Sequence, residues 1–334
     1  MDFIRNFPAI AILLCLFAGI ITSGLKQKAA RILNTVLICI ELVLNGCTLF
    51  YTVITGEAFV YVMGKFPAPW GNEIRAGVLE GMMGFFFCVI MLLSMLGGKK
   101  KLFDEVEESK MSLYYVLTDL LLSSLLALVY TNDLFTAYVF VEINTIAACG
   151  LIMIRQNGRT IEAAVRYMIM SLLGSGMLLL GICMLYDLTG HLLMSNIKES
   201  VQLIVAQGSY RVPILVTIAL MCVGLAIKSA LFPFHAWLPD AYGYSTVSSA
   251  AMLSSLVSKG YIFLLLKIIY RVLGFDVFKN SHIIDVLFVF GLMGMIFGSL
   301  NAIAENDVRR MIAFSSVAQI GYIYMGIGMG TKAG

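Results

Sequence analysis

Glu142, Lys228 and Lys259 are ionisable residues set inside long apolar runs, and His235 follows Lys228 within "AIKSALFPFHAWLPDAYG". A charge at membrane depth is costly, from about 2.5 to well over 10 kcal/mol depending on how the cost is measured. Such groups face a protein interior or a hydrated cavity, and the chemistry open to an acid, two amines and an imidazole is gain and loss of a proton. For a buried lysine, desolvation favours the neutral amine and a neighbouring carboxylate favours the ammonium. Making or breaking such a pair can therefore load or release a proton. Counted from Asp133 at about 1.5 Å per residue, Glu142 sits on the order of 14 Å into its span. Lys259, counted from Thr246, lies roughly 20 Å in on the same rise. Plainer roles stand beside these: Lys228 could satisfy freed carbonyls, Glu142 and Lys259 could each form a static ion pair, and His235 could cap a half-helix. Asp119, Glu41, Glu80 and Asp285 are weaker candidates. The last two sit near span ends within reach of water, while Glu41 and Asp119 are open to pairing with neighbours.

The elements that must position these residues are membrane helices. The chain is 60% apolar and 13% charged, whereas soluble domains run near a quarter charged. Apolar stretches of roughly 20 residues recur from end to end, each long enough to cross about 30 Å of hydrocarbon. The composition predicts an all-α polytopic membrane protein with about ten spans. They fall near 3–23, 31–55, 77–96, 112–131, 134–154, 164–186, 212–231, 246–270, 283–304 and 308–330. The first could be a cleaved signal peptide, but a second span follows at once, which favours a membrane helix. Three longer connections stand out. "KFPAPWGNE" carries turn signals, "GGKKKLFDEVEESK" reads as a solvated loop, and "NIKESVQLIVAQGSYR" has room for a short amphipathic piece at the interface.

Lysines and arginines in the connections favour an N-terminus on the outside. Lys26, Lys28, Arg31, Lys99, Lys100, Lys101, Lys110, Arg155, Arg159, Arg166, Arg309 and Arg310 would then be cytoplasmic. The opposite side would hold fewer: Arg5, Lys65, Arg75, Lys198, Arg211, Lys267, Arg271, Lys279 and Lys332. Lys228 and Lys259 are the basic residues left inside spans.

Pro233 explains where the span carrying Lys228 stops. It lacks an N–H and clashes with the carbonyl of Ser229; Pro239 repeats the effect on the carbonyl of His235. One broken helix is therefore expected near 228–239, with the negative end of a helix dipole beside Lys228. Unwound backbone at this depth is tolerated only where it lines protein or a wet cavity.

Several functions are excluded or disfavoured. A net charge of +3 gives no reason to expect nucleic acid. The seven cysteines lie in apolar segments without a C-x-x-C pair, so neither disulfides nor a metal cluster is indicated. His191 and His282 flank spans, which disfavours a haem held between helices. No cofactor and no metal is implied, nor a catalytic centre of the chain's own.

Three separated stretches resemble a known family. "NDLFTAYVFVEI", "KSALFPFHAWLPDAY" and "SSAAMLSSLVSKGYIFLLLKIIYR" look like segments of the antiporter-like membrane subunits shared by respiratory complex I, energy-converting membrane-bound hydrogenases and Mrp-type cation/proton antiporters. "EAAVRYMIMSLLGSGMLLLGICMLYDLTG" and "ENDVRRMIAFSSVAQIGYIYMGIG" extend the likeness. The resemblance implies proton translocation along buried charges, with Glu142 and Lys228 as a coupling pair, Lys259 as central carrier and His235 as a relay. Asp119, Asp240, Pro233 and Pro239 would support them. It also implies helices 1–3 over residues 1–111, a translocation repeat over 112–272 and the start of a second, inverted repeat over 273–334. H+ is the expected ion, with coupling to Na+ left open. Other membrane subunits of a multi-subunit complex, in a bacterial or archaeal cytoplasmic membrane, would be the partners.

Two departures from the family pattern qualify this. Tyr242 and "GYSTVSS" stand where the family has a histidine and a proline-rich turn, so cytoplasmic access to the path is expected to differ. The sequence also stops where the family's eleventh helix would begin, so either it is a fragment or a separate chain supplies the remaining helices. A stand-alone solute transporter is disfavoured by the row of buried charges. A non-conducting anchor subunit remains the alternative from a different class.

Overall fold

Short polar connections between apolar runs leave the backbone one way to satisfy itself in lipid, which is to stay helical. The computed structural model describes residues 2–66 and 71–331. Pro67–Trp70 of the "KFPAPWGNE" stretch, the side chain of Lys65, and Lys332 lie outside the described residues. The helices are α1 (Phe7–Ser23), α2 (Gln27–Thr55), α3 (Val78–Glu105), α4 (Met111–Tyr130), α5 (Leu134–Met153), α6 (Gly158–Thr189), α7 (Met194–Ala206) and α8 (Arg211–Lys228). They continue as α9 (Leu238–Tyr244), α10 (Val247–Leu273), α11 (Phe275–Asn280), α12 (Ile283–Ala304) and α13 (Val308–Met329). Among the described residues, ten helical stretches are long and apolar enough to span a membrane. The protein is thus an all-α polytopic membrane protein.

Local signals set the helix ends. Asp133, Thr246 and Asp307 accept hydrogen bonds from the backbone of Thr136, Ser249 and Arg309 at the starts of α5, α10 and α13. Gly56 ends α2 in the left-handed region at φ +68°. Between α2 and α3 lies a small antiparallel hairpin, β1 (Phe59–Val62) and β2 (Glu73–Ala76), which the hydropathy pattern did not foretell. A second difference concerns the charge run after the third span. Instead of looping out, it continues α3 as far as Glu105, because Lys99–Lys101 point to solvent while Leu102 keeps the helix's buried face. The expected amphipathic piece is α7, which buries Met194, Ile197 and Val201 and packs on residues 268–273 of α10.

The chain forms two compact units, Met1–Ile161 with Ser245–Gly260, and Glu162–Tyr244 with Tyr261–Gly334. In the first, α1 packs on α4, α2 on α3 and α4 on α5, with the start of α10 against α3. Every residue of α4 from Leu121 to Tyr130 is buried. In the second, α12 and α13 lie so close that a Cβ on Gly291 or Gly321 would meet the other helix's backbone at 2.5 Å. Small residues at such crossings let membrane helices approach without a hydrophobic driving force.

α10 is not a uniform α-helix. Leu253–Val257 and Ile268–Leu273 are π-helical, each carrying an extra residue in its turn.

Candidate functional site

Lys228 is the last residue of α8 and is fully buried. Its ammonium lies 5.3 Å from the centre of the Tyr261 ring, a cation–π distance. Its position at a helix C-terminus sets the ammonium beside the negative end of the helix dipole. Gly174 of α6 makes room for it. A Cβ there would stand 3.0 Å from Lys228 Cγ and 2.8 Å from the Gly224 carbonyl. Reciprocally, a Cβ on Gly224 would meet the Gly174 carbonyl at 2.6 Å, so this pair of glycines fixes how closely α6 and α8 approach.

Beyond Lys228 the chain turns. Ser229 N–H still donates to the Leu225 carbonyl at 2.9 Å, but Ala230 takes φ +62° and Leu231 N–H reaches back to Ala226. The Ser229 hydroxyl is 2.7 Å from the Tyr324 hydroxyl, tying the turn to α13. A 3-10 turn over Phe234–Trp237 follows, and then α9. Pro233 immediately precedes the 3-10 turn. Pro239 does not break a helix a second time: it occupies the second position of α9, where a missing N–H loses nothing. His235 is half-buried and stacks on Phe232, ring centres 5.3 Å apart. Trp237 packs edge-on against Tyr167 at 5.0 Å.

Asp240, on α9, is held by two arginines. Its carboxylate accepts from Arg166 Nη1 at 3.0 Å and from Arg310 Nη1 at 2.6 Å. Arg310 also donates to Glu305 at 3.1 Å and to the Tyr244 hydroxyl at 3.0 Å. The arrangement clamps α6, α9 and α13 at one end of their unit. No signal in the local sequence marks this clamp, because the three charges lie 74 and 70 residues apart.

In the other unit, Glu142 lies midway along α5, with its Oε1 shielded from solvent. Lys259 is half-buried about three turns into α10, and its ammonium donates to the Ser254 carbonyl at 2.6 Å. Ser254 sits within the π-helical turn Leu253–Val257. This is a local contact that spacing alone could not announce. Sequence reasoning also passed over Asn144 on α5. That residue is fully buried, and neither atom of its amide makes a hydrogen bond within the protein. A buried amide in that condition is where ordered water is expected. Asp119 is buried on α4, where it accepts from Asn34 and Thr22.

Buried charges held by membrane helices, one of them beside a turn at a helix end, define a polytopic protein with an ionisable interior. Comparison with known proteins narrows the class. The chain belongs to the NADH:quinone oxidoreductase/Mrp antiporter transmembrane family, whose sequence model matches residues 131–334. It is 34% identical over 282 residues to NADH-quinone oxidoreductase subunit N of Desulforudis audaxviator, covering 84% of this chain and 54% of that protein. The chain spans about half the length of the curated relatives it matches. Its fold superposes on a chain of the membrane-bound sulfane sulfur reductase, an archaeal respiratory membrane complex, with a TM-score of 0.87 and 25% identity. That match covers 98% of this chain and 65% of the other. A chain of the Mrp complex from Dietzia sp. shares the fold at a TM-score of 0.85 and 23% identity, over 98% and 59% of the two chains.

Proposed function

We propose that this chain is an ion-translocating membrane subunit of a redox-driven or Mrp-type multi-subunit complex, moving protons by way of Glu142, Lys228 and Lys259. The observation that carries the reading is Lys228: an ammonium with no exposure to solvent, placed at the end of α8 beside a backbone turn. Desolvating an ammonium at that depth is costly, and a leucine would fill the same space without that cost. Family membership supports the same reading, since the matched relatives are named as subunits of respiratory or antiporter complexes. His235 serves as a relay and residues 112–272 as the translocating repeat. H+ is the carried ion, and coupling to Na+ is a question for the same assay. The lysine and arginine bias of the connections supports an N-terminus outside and a place in a cytoplasmic membrane.

The test is reconstitution of the assembled complex into vesicles. Lys259→Ala and Glu142→Gln should each lower proton pumping about tenfold or more, equivalent to at least ~1.4 kcal/mol on the rate-limiting barrier. Wild-type pumping by both variants, still assembled, would establish a non-conducting anchor instead. Repeating the measurement with and without Na+ reads the ion directly.

A further inference from the structure

The inward face of α2 is polar over most of its length. Asn34, Glu41, Asn45, Thr48 and Thr52 are all buried, at spacings that place them on one side of the helix. They climb roughly 27 Å of helix axis, while Ile32, Phe50 and Ile54 face outward. Two carboxyls are built into this stripe and its surroundings. Asp119 of α4 accepts from Asn34 Nδ2 at 2.6 Å and from the Thr22 hydroxyl of α1 at 3.1 Å. Two turns along α2, Glu41 accepts from Asn45 Nδ2 at 3.3 Å. Asn45 in turn accepts from the Tyr130 hydroxyl at 2.7 Å.

Among the described residues, no basic side chain pairs with either acid. The titratable groups that face Glu41 are the thiols of Cys15 on α1 and Cys88 on α3, and Tyr130 on α4; Cys15 faces Asp119 as well. Glu80 on α3 lies beyond Tyr130, hydrogen-bonded to Gly77 N–H at 2.9 Å. Glu41 has no exposure and Asp119 only 1%, and Oε1 of Glu41 is buried with no N–H or O–H donor, the Cys15 thiol alongside the carboxyl being a weak one. An ionised carboxylate in such a place lacks both water and counter-charge, a penalty of several kcal/mol. A carboxylic acid avoids that penalty and carries its own O–H.

We propose that Glu41 and Asp119 are a second pair of proton-binding carboxyls, set on α2 and α4 beside α1 and distinct from Glu142, Lys228 and Lys259. The bound species is H+ in preference to a metal cation, because Asn34 turns the donor side of its amide toward Asp119. Exchange at each site moves one proton on or off a carboxyl oxygen and needs no electron carrier. The plainer role, polar glue between helices, would be served equally by an amide, and that is what separates the two.

Infrared spectroscopy on the assembled complex in lipid tests this without any transport assay. Protonated carboxylic acids give a C=O stretching band, apart from the carboxylate bands, that moves in D2O. Glu41→Gln and Asp119→Asn should each remove part of that band at neutral pH. A band unchanged in both variants overturns the proposal, and so does one that vanishes when Na+ is added at constant pH, which would mark a cation site. Should the variants fail to assemble, the wild-type complex treated with dicyclohexylcarbodiimide decides the matter. Its reagent adds a protonated carboxyl across an N=C bond and leaves an N-acylurea, read as a mass shift on the peptides containing Glu41 and Asp119; absence of the shift from both rejects the proposal. Failure of vesicle pumping with the infrared band intact would sink the transport reading and leave this one standing.

Discussion

At the scale of the residue, lysine chemistry separates a carrier from a strut. Lys259 donates to the Ser254 carbonyl at 2.6 Å, a contact that any cationic donor could make. An arginine there would keep the charge and could not release its proton. Lys259→Arg is therefore expected to assemble at wild-type levels and to lose pumping, measured by native gel and by vesicle acidification respectively. Retained pumping would return Lys259 to a static role. The positions of Lys228 at a helix end and Glu142 midway along a span were legible from the sequence, since hydropathy and proline place them there. Asn144 was not, because a single amide in an apolar helix draws attention only once its missing hydrogen bonds can be counted. The pairing of Asp240 with Arg166 and Arg310 was equally hidden, since it depends on which helix ends meet.

At the scale of the element, the close crossing of α6 and α8 and the turn after Lys228 make opposite predictions. Gly174→Ala would force a Cβ to 2.8 Å from the Gly224 carbonyl. It should lower stability in detergent by about 1–3 kcal/mol, as overpacking commonly does, seen as earlier thermal unfolding of the complex. Ala230 sits at φ +62°, where an L side chain is strained by roughly 1–2 kcal/mol. Ala230→Gly should accordingly match or exceed wild-type stability, while Ala230→Val should fall below it in the same melt. The prolines made the end of α8 predictable to within a few residues, and Pro239 shows the limit of that inference. Proline forbids the interior of a helix but suits its first turn, so sequence alone could not distinguish a second break from a new beginning. The continuation of α3 through its lysines was missed for a related reason: solvated charge opposes burial, not helicity.

At the scale of the molecule, the ten spans of the described residues and a predominantly helical architecture followed from hydropathy because lipid leaves the backbone so few options. The division into two compact units did not, because it rests on tertiary packing and α10 is shared between them. Within the second unit, the Asp240 clamp joins three helices through one carboxylate. Asp240→Asn would replace the shared carboxylate by a neutral acceptor, while Arg166 keeps Glu162 and Arg310 keeps Glu305; since Arg166 is more than half exposed, the loss should be modest, about 1 kcal/mol. A thermal shift of that size, abolished in an Arg166→Ala and Arg310→Ala background, would confirm that the carboxylate acts through the arginines. The π-helical turn at Leu253–Val257 carries a wider implication. One surplus residue is a phase shift of about 100° for everything that follows it. Deleting a single residue from that turn would restore an ordinary helix and leave its composition almost untouched. Yet it would swing the later half, from Lys259 onward, out of phase with its own neighbours. The address of that lysine around the helix is thus written by an irregularity upstream of it.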